Sequence, residues 1–224
     1  MAEQKSNWFR EHSLFIVLFA LFVVFLVGMA ITGFEVYNEE QVEHGASPIG
    51  FLQYLTTGAF GEATFENWES EFLQMGAYVV LTIWLVQKGS SESKPIDEPM
   101  EQDKDPRTVD VGPRTPWPVR RGGFVLVLYE NSLAILFFVL FFLSFALHAV
   151  TGAAAYSEEQ AQHGLPGVTP WEYLGTAQFW FESMQNWQSE FLAVAAIVLG
   201  SVYLRQRGSP ESKPVHAPND ETGA

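Results

Sequence analysis

Cysteine is absent from this 224-residue chain. That excludes disulfides, iron–sulfur clusters, thiolate zinc sites and thiol catalysis. Charge is scarce, at 17% of residues, and positive charge is scarcer, with 12 Lys and Arg against 26 Asp and Glu and a net charge of −14. A nucleic acid would want a basic stripe, so none is expected as a partner. No phosphate loop, nucleophile elbow or zinc-protease motif is present, and the expectation is a protein that is not an enzyme. Lysine, arginine and carboxylates are missing altogether from residues 13–34 and 131–157.

What fills those gaps is apolar, and aromatic residues make up 15% of the chain. An apolar run of at least about 18 residues reads as a transmembrane helix. The first run follows Lys5 and Arg10, as a signal peptide would, but it is longer than an h-region of about 7–15 residues. Shorter runs follow at Phe72–Gln87 and Phe191–Leu204. At ~1.5 Å per residue neither crosses a core of about 30 Å unless its helix reaches back to Asn67 or Asn186. The expected spans are therefore about 12–34, 67–88, 131–155 and 186–207. All 12 basic residues lie in the N-terminus, the central linker or the C-terminal tail, while 35–71 and 155–190 carry 13 of the 26 carboxylates and no basic residue. Positive side chains stay on the cytoplasmic side, so both termini are expected inside and the acidic loops outside.

The chain also repeats itself. Residues 9–95 align on 128–214 without a gap, and 36 of the 87 pairs are identical. Asn67-Trp68-Glu69-Ser70-Glu71-Phe72-Leu73 recurs as Asn186-Trp187-Gln188-Ser189-Glu190-Phe191-Leu192. The expected fold is an all-α integral membrane protein with four transmembrane helices in two parallel two-span repeats, related by an axis along the membrane normal. Each repeat has a short amphipathic helix in its outer loop. The domains read as 1–94 for repeat 1, 95–118 for a proline-rich, disordered cytoplasmic linker, 119–213 for repeat 2 and 214–224 for a disordered tail.

Positions kept in both copies mark the candidates. Glu71 and Glu190 sit where an acidic loop enters an apolar helix, and ionisable groups there often mark ion or proton pathways. The bland alternative places each in a first helical turn, favoured by the helix dipole and open to water. Glu40 with His44, and Glu159 with His163, share a helix face at i, i+4 and offer the oxygen and imidazole ligands of a divalent metal, the one cofactor the sequence suggests. Against that, a histidine just before glycine has an ordinary use capping a helix C-terminus. Trp68, Trp187, Tyr54 and Tyr173 read as interface anchors. Asn67 and Asn186 read as helix N-caps, and Gly89 and Gly208 as helix stops. His148 faces Met29 across the repeat, so a site built on duplication does not need it.

Together Glu-Glu-Gln-x-x-His-Gly, the Tyr-Leu pair, Phe-Glu-Asn-Trp-Glu-Ser-Glu-Phe-Leu-Gln-Met and Gly-Ser-x-Glu-Ser-Lys resemble a family of bacterial multi-pass membrane proteins known as a domain of unknown function. Copy 2 departs from that pattern at Met184-Gln185 and Ala193-Val194. The resemblance implies a bacterial cytoplasmic (inner) membrane and lends no activity or site residue. Three readings of function follow. The first is a structural or accessory subunit, bound to a membrane partner or to further copies of itself. The second is cation or proton binding or translocation through the paired carboxylates. The third is a metalloprotein using the Glu/His pairs.

Overall fold

A computed structural model describes residues 8–96 and 98–222. Lys5, with most of the expected cytoplasmic head, and the last two residues of the expected tail lie outside the described residues. The described chain is helical and contains no strand. In order come α1 (Trp8–Glu11), α2 (Ser13–Glu43), α3 (Phe51–Tyr54), α4 (Gly58–Leu81), α5 (Trp117–Arg121), α6 (Gly123–Glu130), α7 (Ser132–Gln162), α8 (Pro170–Tyr173) and α9 (Ala177–Tyr203).

Two of these helices, α2 and α7, are long and apolar enough to cross a membrane. Each has 31 residues, roughly 46 Å of helix. Much of the apolar surface of α2 is open, with Leu14 74% and Phe25 70% exposed. Helices α4 and α9 are long enough but fail on composition. Glu62, Glu66, Glu69 and Glu71 interrupt α4, and Glu182 and Glu190 interrupt α9. The expectation of four spans is thus met at the level of an all-helical chain with two candidate spans.

Both carboxylate-bearing helices begin well before Asn67 and Asn186, which lie inside them and cap nothing. The capping oxygen belongs to Thr57 and Thr176. Thr57 Oγ1 accepts from the Phe60 N–H at 3.3 Å and Thr176 Oγ1 from the Phe179 N–H at 3.2 Å. A threonine hydroxyl before the first turn satisfies an N–H that the helix leaves orphaned. Gly89 and Gly208 are likewise not helix stops. The helices end at Leu81 and Tyr203, and the glycines sit further on, at φ +88° and +86°, in turns closed by Ser90 N–H to Gln87 O and Ser209 N–H to Gln206 O.

The chain divides into two compact units. One takes the residues up to Ala63 together with Ala149–Tyr173. Its close packing rests on missing side chains. A Cβ on Gly33 would lie 2.2 Å from the Tyr54 hydroxyl, and one on Gly152 2.5 Å from the Tyr173 ring. Gly58 and Gly61 likewise let the start of α4 meet the backbone and side chain of Thr151 on α7. Small residues permit such approach between helices in lipid. One clip closes both loops here. Asn38 Oδ1 accepts from the Ile49 N–H at 2.7 Å, and Ser157 Oγ accepts from the Val168 N–H at 2.9 Å.

The other unit takes Thr64–His148 together with the residues from Leu174. Phe145 packs edge-on to Phe179, Phe141 meets Trp187, and Gly76 leaves room for Phe137 and Phe138. The Gly-Ser-x-Glu-Ser-Lys segments fold alike. Ser93 Oγ accepts from the Gln87 N–H at 2.7 Å, and Ser212 Oγ from the Gln206 N–H at 2.9 Å. A buried bond of 2.7 Å joins Ser90 Oγ to Ser201 Oγ. Lys213 Nζ donates to the carbonyls of Pro218, Asn219 and Glu221, which draws the tail into turns around it.

Candidate functional site

The second unit holds a polar cluster amid apolar helices. His148, near the middle of α7, is fully buried, as is Glu69 on α4. His148 Nδ1 lies 2.8 Å from Glu69 Oε2, and Nε2 lies 3.2 Å from Glu182 Oε2 on α9. Trp187 Nε1 donates to Glu69 Oε1 at 3.0 Å, and Gln178 Nε2 donates to Glu182 Oε1 at 2.6 Å. Phe179 stacks on the imidazole with ring centroids 4.7 Å apart. A third carboxylate, Glu66, lies within electrostatic reach of His148 and Glu182.

Proton counting constrains this arrangement. Both ring nitrogens meet a carboxylate oxygen, and each such contact needs a proton between the two atoms. A neutral imidazole supplies one. The second comes from a doubly protonated ring or from a protonated carboxyl. Either way the Glu69–His148–Glu182 triad holds one proton more than two carboxylates and a neutral histidine, for a net charge of −1. No lysine or arginine occurs in 11–87 or 122–204, so α4, α7 and α9 carry no fixed cation to match it. Leaving such charge buried costs several kcal/mol. The chemistry available is therefore exchange of a proton, or of another small cation, at a buried centre.

Sequence comparison within the chain passed over this centre because its members are not duplicated. Glu69 stands opposite Gln188, His148 opposite Met29 and Glu182 opposite Ala63. The signal lies in asymmetry between the copies. Ionisable residues that a duplicated apolar helix carries in one copy only can assemble a single site from both copies.

The residues singled out from sequence fare differently. Glu71 and Glu190 come close enough for Glu190 to act electrostatically on Glu71, with Glu71 exposed and Glu190 half-buried. The Glu/His pairs use their imidazoles locally. His44 Nδ1 lies 2.8 Å from the Glu40 carbonyl oxygen, and His163 Nδ1 lies 3.0 Å from that of Glu159. No cluster of metal-ligating side chains among the described residues includes Glu40, His44, Glu159 or His163. Tyr54 and Tyr173 are buried, at 4% and 0% exposure, so neither presents its ring as a surface anchor. The space left by Gly33 and Gly152 draws them in. In the first unit Tyr173 donates to Glu62 at 2.9 Å, and Tyr37 and Gln41 both donate to Glu158. Trp68 is half-buried against Phe65, and Trp187 is committed to Glu69.

The model of one protein family, described as Domain of unknown function (DUF6766), matches residues 5–224. No curated protein and no solved structure matches the chain.

Proposed function

The chain thus belongs to that family, whose description assigns no role, and we propose from its own residues that it is a non-enzymatic, multi-pass protein of a bacterial cytoplasmic membrane that binds and exchanges protons at a buried carboxylate–imidazole centre. The observation that carries this reading is the Glu69–His148–Glu182 triad, with Glu69 and His148 fully buried, Glu182 half-buried and no lysine or arginine on their helices. Ionisable groups in such a place are costly and mark proton or ion routes. The four-span arrangement belongs to the same proposal. Helices α4 and α9 then cross with Glu69 and Glu182 turned to His148 rather than to lipid, and both termini lie inside.

The test is proton flux into liposomes that hold a trapped pH dye, driven by a potassium diffusion potential. The wild-type protein should carry protons, while Glu69→Gln and His148→Gln should fall to the level of empty vesicles. Equal flux in all three removes the proposal.

A second reading, an accessory subunit, is favoured by the two folded Gly-Ser-x-Glu-Ser-Lys segments: the first is tied to α9 through Ser90 and Ser201 and meets the second where Ser91 Oγ donates to the Glu211 carbonyl. Such a built surface suits a protein partner or another copy of the chain. Purification in mild detergent decides it: a partner should leave the column with the wild type and be lost on Ser90→Ala with Ser201→Ala. A single solitary species in both cases counts against it.

A further inference from the structure

Ser183 lies on α9 one turn after Phe179 and one turn before Trp187, so the three share one ridge of the helix. Phe179 stacks on His148, and Trp187 donates to Glu69. Ser183 therefore faces the triad. It is fully buried, and its hydroxyl has no hydrogen-bond partner. Other hydroxyls on these helices behave differently. Ser70, Ser189 and Ser201 each donate to the carbonyl three residues earlier. Ser183 is not spent that way. The position 119 residues earlier, Thr64, also carries a hydroxyl, although the carboxylates around the triad differ between the copies.

A buried polar group without a partner calls for a water or an ion. A buried water needs two to four polar partners. The Ser183 hydroxyl and the remaining lone pairs of the Glu69 and Glu182 carboxylates supply them. A water also bridges a gap too wide for a direct bond, which suits a hydroxyl whose neighbours on both sides touch the triad while it does not.

We propose that Ser183 seats a buried water through which the Glu69–His148–Glu182 triad gains and loses its proton. This rests on the proton-exchange reading above. The step balances as a relay: the water accepts a proton from one side and releases another to the far side, and is itself regenerated. Within this unit the titratable groups facing His148 include Glu66 and Glu69 on α4 and Glu182 on α9. Ser183 is a positioning residue, since it acts on the exchanging groups through the water.

The experiment compares wild type, Ser183→Ala and Ser183→Thr in reconstituted vesicles, with circular dichroism to establish that each is folded. Infrared difference spectra between two pH values are recorded in ordinary and in ¹⁸O water, and proton flux is measured beside them. Ser183→Ala should lose an ¹⁸O-sensitive O–H band and slow the flux by about tenfold, the scale of one lost hydrogen-bonding group. Ser183→Thr keeps a hydroxyl and should retain both. A folded Ser183→Ala protein that retains either the band or the wild-type flux overturns the proposal. His148→Gln is the control for the underlying reading. If it leaves flux unchanged, proton exchange at the triad fails, and the band alone still decides whether Ser183 holds water.

Discussion

At the scale of single residues, two glycines and a histidine carry the argument. Gly152 leaves the Tyr173 ring the room it occupies, and a Cβ there would fall 2.5 Å from a ring carbon and 2.9 Å from Glu62 Oε1. A ring is rigid, so Gly152→Ala must move Tyr173 and break its bond to Glu62. Overpacking of this kind costs roughly 1–3 kcal/mol, and thermal unfolding in detergent should register it as a lowered midpoint. Gly28→Ala is the control, because a Cβ there meets nothing within 4 Å. Of these residues the sequence made the glycines legible, since Gly33 and Gly152 are kept in both copies. It also showed Tyr54 and Tyr173, but not where their rings go. Burial against a glycine on the preceding helix is a matter of packing, whereas belt residues are recognised by composition alone. His148 was hidden for a further reason. Its partners Glu69 and Glu182 are 79 and 34 residues distant, and no spacing rule connects positions on separate helices.

At the scale of elements, the long apolar helices were legible, because α2 and α7 announce themselves by length and composition. Their ends were legible too. Gly45 and Gly164 follow them at φ +76° and +72°, where a side chain is strained. The starts of α4 and α9 were misread because carboxylates and amides fill their first turns, and the apolar pattern begins only later. The caps Thr57 and Thr176 then predict the cost of an error there. Thr176→Ala should destabilise the start of α9 by about 1 kcal/mol, read as faster amide exchange in residues 177–180.

The loop after α4 makes a pH prediction with a definite sign. Burial raises the Glu92 carboxyl above its ordinary value; a bond from the Tyr78 hydroxyl opposes this in part, and the Glu211 carboxylate adds to it. The folded loop therefore holds its proton more tightly than the unfolded chain does. Its contribution is fully present below the ordinary glutamate value and is lost as pH rises through the elevated one. Amide protection over residues 87–94, taken relative to the intrinsic exchange rate at each pH, should fall across that window in the wild type and stay level in Glu92→Gln. A wild-type loop that tightens as pH rises contradicts the assignment.

For the whole molecule the open question is how often the chain crosses, and the absence of cysteine makes the question direct. If only α2 and α7 crossed, everything between them would lie outside and everything after α7 would lie inside. The segment 88–121 would then hold seven of the 12 basic residues on the outer side, against the retention of lysine and arginine in the cytoplasm. If α4 and α9 cross as well, that segment returns inside, and the acidic loops after α2 and α7 both lie outside. The buried triad favours the second arrangement. Glu69 and Glu182 reach His148 only if α4 and α9 run alongside α7, and α7 is itself a candidate span. Three single cysteines separate the cases, replacing Ala46, Asp110 and Leu165. A membrane-impermeant maleimide on intact cells should label the first and third and spare the second. The two-span arrangement demands the opposite at Asp110 and Leu165, with label on the former and none on the latter. Detergent-opened cells should label all three, which shows that protection reflects the side of the membrane rather than burial in the fold.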